Sequence, residues 1–347
     1  MTHPVAIKSI TSALPARRVH NHDAVFDAVR ASLPGSWWDF WGIESRPLMD
    51  RQRDSAVSMG AAACQSALEL AGLRATDVDL ILVNLSSPLI AEGDARRMFP
   101  RLSEELRQKL GAANAVSWDV EMECLTFMLL LQLAAGFIRS GKYARILICS
   151  VETMSEILDF GSRDSTTFGD GAAAAVITAD DIGGDLLAAS WGSDAEFYDV
   201  ATVRWRQPAQ GGEQSVYFTL APDGRKRMMD FVPKTVPTVV EGALRQAGLA
   251  ASDIAQFIFH QPGRILIESW ANGISRACGD ITDRYPITLR HNGCLVSVAI
   301  PSTLVHALEH RLIAPGDHVL LGGLGTGWCY GAQVWRWGST AFGTVAT

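Results

Sequence analysis

The chain carries one local pattern twice. Residues 71–79 read Ala-Gly-Leu-Arg-Ala-Thr-Asp-Val-Asp and run into the apolar stretch Leu80-Ile-Leu-Val-Asn. Residues 247–255 read Ala-Gly-Leu-Ala-Ala-Ser-Asp-Ile-Ala and run into Gln256-Phe-Ile-Phe-His. A second pair recurs at about the same offset. Arg139-Ser-Gly-Lys leads to Ile146-Leu-Ile-Cys, and Ala314-Pro-Gly-Asp leads to Val319-Leu-Leu-Gly. Two matches in the same order point to two similar halves, residues 1–180 and 181–347, joined near residues 178–190. The strands are apolar without alternation, as expected where helices cover both faces of a sheet. Helices alternating with such strands give a layered α/β architecture. The pattern predicts helices over 55–72, ending at Gly72, and around 234–247, ending at Gly248. Residues 205–230, with Gln210-Gly-Gly-Glu and Asp223-Gly-Arg-Lys-Arg, read as an irregular insertion or a hairpin.

At 347 residues, with 48% hydrophobic and 19% charged side chains, the chain can build an ample core. A net charge of −7 supplies no basic face, so nucleic acid is not an expected partner. The six cysteines (64, 124, 149, 278, 294 and 329) are scattered without a C-x-x-C pair. That spacing argues against a metal site and a disulfide framework, and it suits a reducing cytoplasm. The N-terminal residues lack the basic and apolar blocks of a secretory signal. The longest apolar run, Leu125 to Ile138, is interrupted by Gln132 and is too short for a membrane span.

Cys124 lies where a short polar turn, Asp119-Val-Glu-Met-Glu, meets that apolar run. A helix start carries unpaired N–H groups and roughly half a positive charge, which favours a thiolate and a nucleophile able to hold an acyl group. The ordinary alternative is a small apolar residue in a core helix. His260 ends the strand Phe257-Ile-Phe-His, at the carboxyl end of a sheet where ligands gather, and imidazole exchanges protons near neutrality. Arg290-His-Asn-Gly-Cys-Leu-Val-Ser opens a helix at the repeat's equivalent of the Cys124 helix. Asn292 is placed to cap it, and Cys294 falls one turn in, toward the same cavity. The glycines of Leu321-Gly-Gly-Leu-Gly-Thr-Gly-Trp let backbone N–H groups approach a ligand or an oxyanion. As a dinucleotide fingerprint this segment is weak, because no βαβ unit with an acidic ribose ligand follows it.

Taken in order, several pieces carry a resemblance across nearly the whole chain. They are Gly42-Ile-Glu-Ser-Arg46, Asp79-Leu-Ile-Leu-Val-Asn-Leu-Ser-Ser-Pro88, Phe99-Pro100, Cys124 with its helix, and Phe168-Gly-Asp-Gly171. His260-Gln-Pro262, Asn292-Gly-Cys294 and the glycine loop complete the series. The chain resembles the thiolase superfamily in its ketoacyl-acyl-carrier-protein synthase III branch. That implies a duplicated αβαβα five-layer fold, in agreement with the repeat. Four further stretches narrow the likeness to the catalytic subunits of bacterial alkylquinolone synthases. They are Ser36-Trp-Trp-Asp-Phe-Trp-Gly-Ile, Met122-Glu-Cys-Leu-Thr-Phe, Leu158-Asp-Phe-Gly-Ser-Arg-Asp-Ser-Thr and Ala195-Glu-Phe-Tyr-Asp-Val-Ala-Thr-Val-Arg-Trp-Arg.

The resemblance implies Cys124 as the acyl-carrying nucleophile and His260 as acid–base and carbonyl-polarising residue. It implies an oxyanion hole from the backbone N–H groups of Cys124 and Thr326. It also implies a condensation joining a medium-chain fatty acyl thioester, carried on coenzyme A or acyl carrier protein, to a β-keto acid such as 2-aminobenzoylacetate. No cofactor is expected. The implied assembly is a heterodimer with a homologous subunit that lacks the cysteine. Two positions depart from the wider family. Cys294 stands where the synthases carry a third catalytic residue, Asn, and a thiol is a poor donor to an enolate. Phe40 stands where the housekeeping enzymes carry an arginine for the coenzyme A nucleotide. Cys294, Asn292, Glu123 and Phe40 are the expected substrate-lining positions. Glu123 raises the thiol pKa, turns away into an ion pair, meets the substrate amine or, as the ordinary alternative, is a buried structural carboxylate. The rival readings are a priming condensation, an acyl transfer to an alcohol or amine, a non-catalytic partner subunit and, more distantly, a nicotinamide oxidoreductase.

Overall fold

Gly72 and Gly248 both end a helix in the left-handed conformation, each at φ 68°. Their N–H groups close the last turn on the carbonyls of Leu68 and Glu69 in one case and of Leu244 and Arg245 in the other. A residue with a Cβ would be strained there, which is why the repeated Ala-Gly-Leu marks a helix end. The first of these helices, Ala56–Ala71, starts at Ser55. The Ser55 side chain accepts from Ser58 N–H while Ser58 reciprocates to the Ser55 backbone. The second, Gly224–Ala247, begins well before the predicted start and holds Pro233 and Pro237 within it. Asp223-Gly-Arg-Lys-Arg, which read as part of an irregular insertion or a hairpin, instead caps and opens this helix. The remainder of that stretch is a hairpin, Ala201–Arg206 paired antiparallel with Ser215–Leu220.

A computed structural model of the chain describes residues 4–92, 95–179 and 181–347. The expected boundary between halves falls on Asp180, which lies outside the described residues. One sheet has six strands, in the order Ala341–Ala346, Val5–Leu14, Gly171–Ala179, Arg145–Glu152, Leu80–Leu85 and Val116–Asp119. The other has four, in the order Asp185–Ser193, Cys329–Arg336, His318–Gly325 and Ile254–Phe259. The repeated strands are parallel neighbours in each: Leu80–Leu85 with Arg145–Glu152, and Ile254–Phe259 with His318–Gly325. The last strand, Ala341–Ala346, returns to lie parallel to Val5–Leu14, so the end of the chain completes the first sheet.

Two helices, Thr126–Arg139 and Ala299–Glu309, fill the space between the sheets. Their buried faces meet Leu80, Leu82, Ile146 and Ile148 of one sheet and Ile258, Val319 and Leu321 of the other. Each such side chain contributes on the order of 2 kcal/mol through burial. Ala56–Ala71 covers the outer face of the first sheet, and Gly224–Ala247 with Arg264–Cys278 covers that of the second. The result is the five-layer αβαβα arrangement of the thiolase fold. No described helix is long and apolar enough to cross a membrane.

Candidate active site

Cys124 sits in the tight turn Glu123–Leu125 that feeds the central helix Thr126–Arg139. Glu123 takes φ 48°, an unusual conformation for a residue with a side chain, and such strain concentrates at functional sites. Thr126 locks the turn. Its hydroxyl accepts from Met122 N–H at 2.7 Å and donates to the Glu123 carbonyl at 2.8 Å. His260 leaves the end of strand Ile254–Phe259, anchored by its N–H to the Gly322 carbonyl at 2.9 Å. Cys294 is held from both sides, its N–H donating to Thr167 at 2.7 Å and its carbonyl accepting from Gly169 at 3.1 Å. Its Sγ lies 3.9 Å from His260 Nε2.

The glycine loop packs against the backbone of His260 and Cys124. A Cβ at Gly323 would stand 2.6 Å from the His260 Cβ, and one at Gly325 would stand 3.4 Å from the Cys124 nitrogen. Gly323→Ala therefore displaces the imidazole. We expect a stability loss of about 1–3 kcal/mol by chemical denaturation, from overpacking, and slower acylation. Wild-type stability in that variant would contradict the close approach.

Cys124, His260, Cys294 and Thr326 open into one cavity of about 90 Å³, with Trp37, Trp41, Phe168, Phe218 and Trp328 among its walls. Its apolar lining suits an acyl or aryl group. Of the other expected lining residues, Glu123 opens the turn but is not on the cavity wall, and the Thr326 side chain hydrogen-bonds its carboxyl. Asn292 ends the short helix Leu289–Asn292, and its Oδ1 accepts from Arg18 at 3.1 Å. It neither caps the next helix nor reaches the cavity, because the chain turns at Gly293 (φ 62°) before Cys294. Phe40 is 42% exposed, its ring set edge-on to Trp41 at 5.2 Å, so its neighbours Trp37 and Trp41 line the entrance in its place.

The electrostatics correct the expectation of a resting thiolate. Burial pushes the Cys124 thiol well above its ordinary value, with Cys294, Glu123 and Glu152 adding to the rise and a backbone hydrogen bond from Thr326 opposing it. Loss of water outweighs the helix start here. Burial likewise lowers His260 to about 3, and its Nδ1 has no hydrogen-bond partner among the described residues. Cys294 is pushed up to about 12 by burial. The resting pair is a neutral thiol and a neutral imidazole, so sulfur must lose its proton as it attacks. Glu123 is raised to about 7 by burial and by Glu121.

Sequence reasoning missed Phe168, Phe218 and Trp328 as walls and Glu152 as a buried acid beneath the site. Phe168 was visible only as part of a motif, and Glu152 as the charged end of an apolar strand. All six cysteines are free, and no group of three His, Cys, Asp or Glu side chains among the described residues is placed to hold a metal.

Residues 118–195 match the family described as 3-oxoacyl-[acyl-carrier-protein] synthase III, and residues 244–337 match its C-terminal part. The beta-ketoacyl-[acyl-carrier-protein] synthase III of Synechococcus elongatus is 32% identical over 98% of this chain and 99% of its own length. The chain belongs to the 3-oxoacyl-[acyl-carrier-protein] synthase III family. Within this synthase III family it is 41% identical, over 97% of the chain and 98% of the relative, to the 2-heptyl-4(1H)-quinolone synthase subunit PqsC of Pseudomonas aeruginosa. A solved 3-oxoacyl-(acyl-carrier protein) synthase from Burkholderia xenovorans superposes with TM-score 0.85 at 20% identity, covering 100% of this chain and 98% of that one. The Pseudomonas aeruginosa synthase III structure gives 0.81 at 24% identity over 97% and 99%. These likenesses place the chain among condensing, acyl-transferring enzymes of the synthase III family.

Proposed function

We propose that the protein condenses a medium-chain acyl thioester, octanoyl-like in length, with 2-aminobenzoylacetate to give an alkylquinolone. One observation carries the reading beyond the family level. The position where the synthases place an amide donor holds the Cys294 thiol, 3.9 Å from His260 Nε2, in a cavity it shares with Cys124. The likeness to a heptylquinolone synthase subunit supports the same reaction.

Cys124 Sγ attacks the thioester carbonyl while its proton passes to His260, and the N–H groups of Cys124 and Thr326 receive the oxyanion. The carrier thiol leaves with that proton, and the acyl group stays on sulfur. The β-keto acid then loses carbon dioxide. An aryl ketone conjugates the resulting enol, so it needs less help from an enzyme donor than a malonyl thioester does. The enol carbon attacks the acyl carbon and frees the Cys124 thiol. The aniline nitrogen closes on the new ketone, and loss of water completes the ring. His260, neutral at working pH, polarises the ketone and carries the proton. Glu123 supports the oxyanion loop through Thr326 rather than by touching substrate. No resident cofactor enters the scheme. The working unit is a heterodimer with a homologous, cysteine-free subunit, acting in the cytoplasm.

Product analysis with octanoyl-coenzyme A and either 2-aminobenzoylacetate or malonyl-acyl carrier protein tests the reading. Quinolone from the first pair and little ketoacyl product from the second are expected. The reverse preference would establish a priming condensation instead. Cys294→Asn restores an amide donor, so malonyl decarboxylation should rise by about tenfold to a hundredfold, measured as carbon dioxide release. No rise would remove Cys294 from the argument.

A further inference from the structure

The duplication gives the active site a buried counterpart. The strand Leu80–Leu85 runs into Ser86-Ser87-Pro88 as Ile254–Phe259 runs into His260-Gln261-Pro262. The turn Val296–Val298 feeds the second central helix as Glu123–Leu125 feeds the first, and Val296 repeats the strain of Glu123 at φ 47° against 48°. Ser297 is thus the counterpart of Cys124, while the repeat of Leu80-Ile-Leu-Val-Asn in Gln256-Phe-Ile-Phe-His pairs Asn84 with His260 and leaves Ser86 two residues beyond it.

Glu152 joins these two serines. It ends strand Arg145–Glu152 and is fully buried. Its Oε1 accepts from Ser86 Oγ at 2.8 Å, from Ser297 N–H at 3.2 Å and from Ser297 Oγ. Ser297 N–H corresponds to the Cys124 N–H assigned to the oxyanion hole, so a carboxyl oxygen fills the second copy of that hole permanently. Val296 immediately precedes Ser297, and its backbone lies near enough to favour protonated His260 and ionised Cys294.

We propose that Glu152 is a positioning residue of the condensing site. It fastens the second-half turn to the first-half sheet, and through Val296 it seats His260 and Cys294 opposite Cys124. It does so as a neutral acid, because an anion there would oppose charge forming on the Cys124 sulfur. The proposal rests on Cys124 being the acyl acceptor. All three donors use Oε1, and Oε2 has no hydrogen-bond partner among the described residues. Burial raises the carboxyl to about 8, with Glu123 adding to the rise and the Ser297 and Ser86 hydrogen bonds opposing it. The groups that face it are Ser86 on the sheet, Glu123 and Cys124 on the first turn, and Ser297 and Cys294 on the second. Glu152 in turn helps raise both thiols.

As pH passes about 8, Glu152 ionises, Cys124 becomes harder to deprotonate and acyl transfer slows. Two readouts on the purified protein test this. The first is the rate of iodoacetamide alkylation of Cys124 against pH, followed by peptide mapping, which needs no acyl substrate. Glu152→Gln keeps an oxygen acceptor and cannot ionise, so the rise in alkylation should move down by roughly half a pH unit or more. The second is acylation by octanoyl-coenzyme A. Glu152→Ala should lose at least tenfold, Glu152→Gln should recover most of that, and the Gln variant should lack the wild-type decline above pH 8. Coincident alkylation and acylation profiles for wild type and Glu152→Gln would overturn the proposal, even if Glu152→Ala fails to fold. Wild-type protein that alkylates at Cys124 but never acylates would instead overturn the proposed function.

Discussion

Replacing Cys124 by alanine is expected to lower turnover by about ten-thousand-fold or more while leaving the fold intact. The side chain removed is small and buried, the central helix is held by its own apolar face, and Thr126 keeps locking the turn. Truncating one small buried group costs on the order of 1 kcal/mol, so the variant should melt as a folded protein. Its chemistry should vanish, because no other thiol is placed to replace it. Cys294 shares the cavity, but burial holds it up at about 12, and the Thr326 backbone hydrogen bond reaches Cys124 instead. Product formation measured over hours, with near-ultraviolet circular dichroism as the folding control, checks this. Residual turnover within a hundredfold of wild type would mean that the acyl group rides elsewhere.

His260→Ala comes second, with an expected loss of roughly a thousandfold in acylation rate, the range for removing a positioned acid–base group. No second histidine lines the cavity to take the Cys124 proton in its place. The same substitution should change stability against pH. Folded His260 titrates near 3 and an exposed histidine near 6.5, so unfolding takes up a proton between those values. Stability is therefore lost as pH falls from about 6.5 toward 3, at about 1.4 kcal/mol for each fully expressed unit. A His260→Gln variant, which keeps most of the volume, should lose less stability than wild type between pH 7 and pH 4.5 in urea titrations. Parallel losses in the two proteins would show that the imidazole is not buried neutral.

The layered architecture was readable because its signals are local. Gly72 and Gly248 had to be glycine at φ 68°, and each announced a helix end before a buried strand. The start of Gly224–Ala247 was missed because Asp223-Gly-Arg-Lys-Arg reads locally as a turn, and only the packing of the whole helix extends it there. Cys124 and His260 stood out by position, at a helix start and a strand end. Their protonation did not, because burial is a property of the assembled layers. Asn292 looked like a cap by residue type, and only the turn at Gly293 and the Arg18 contact send it elsewhere. Phe40 sits among tryptophans that do enter the cavity, and a one-residue difference on a helix decides which ring faces inward. Glu152 was illegible for the same reason in reverse. Its three donors come from Ser86 and Ser297, which lie far from it and from each other in sequence.

The central claim is that one sulfur carries the acyl group. Brief incubation of the protein with octanoyl-coenzyme A, followed by intact-mass measurement and peptide mapping, tests it most directly. A single octanoyl adduct on the peptide containing Cys124, discharged on adding 2-aminobenzoylacetate, is the predicted result. An unmodified chain, or an adduct mapping to Cys294, would contradict it.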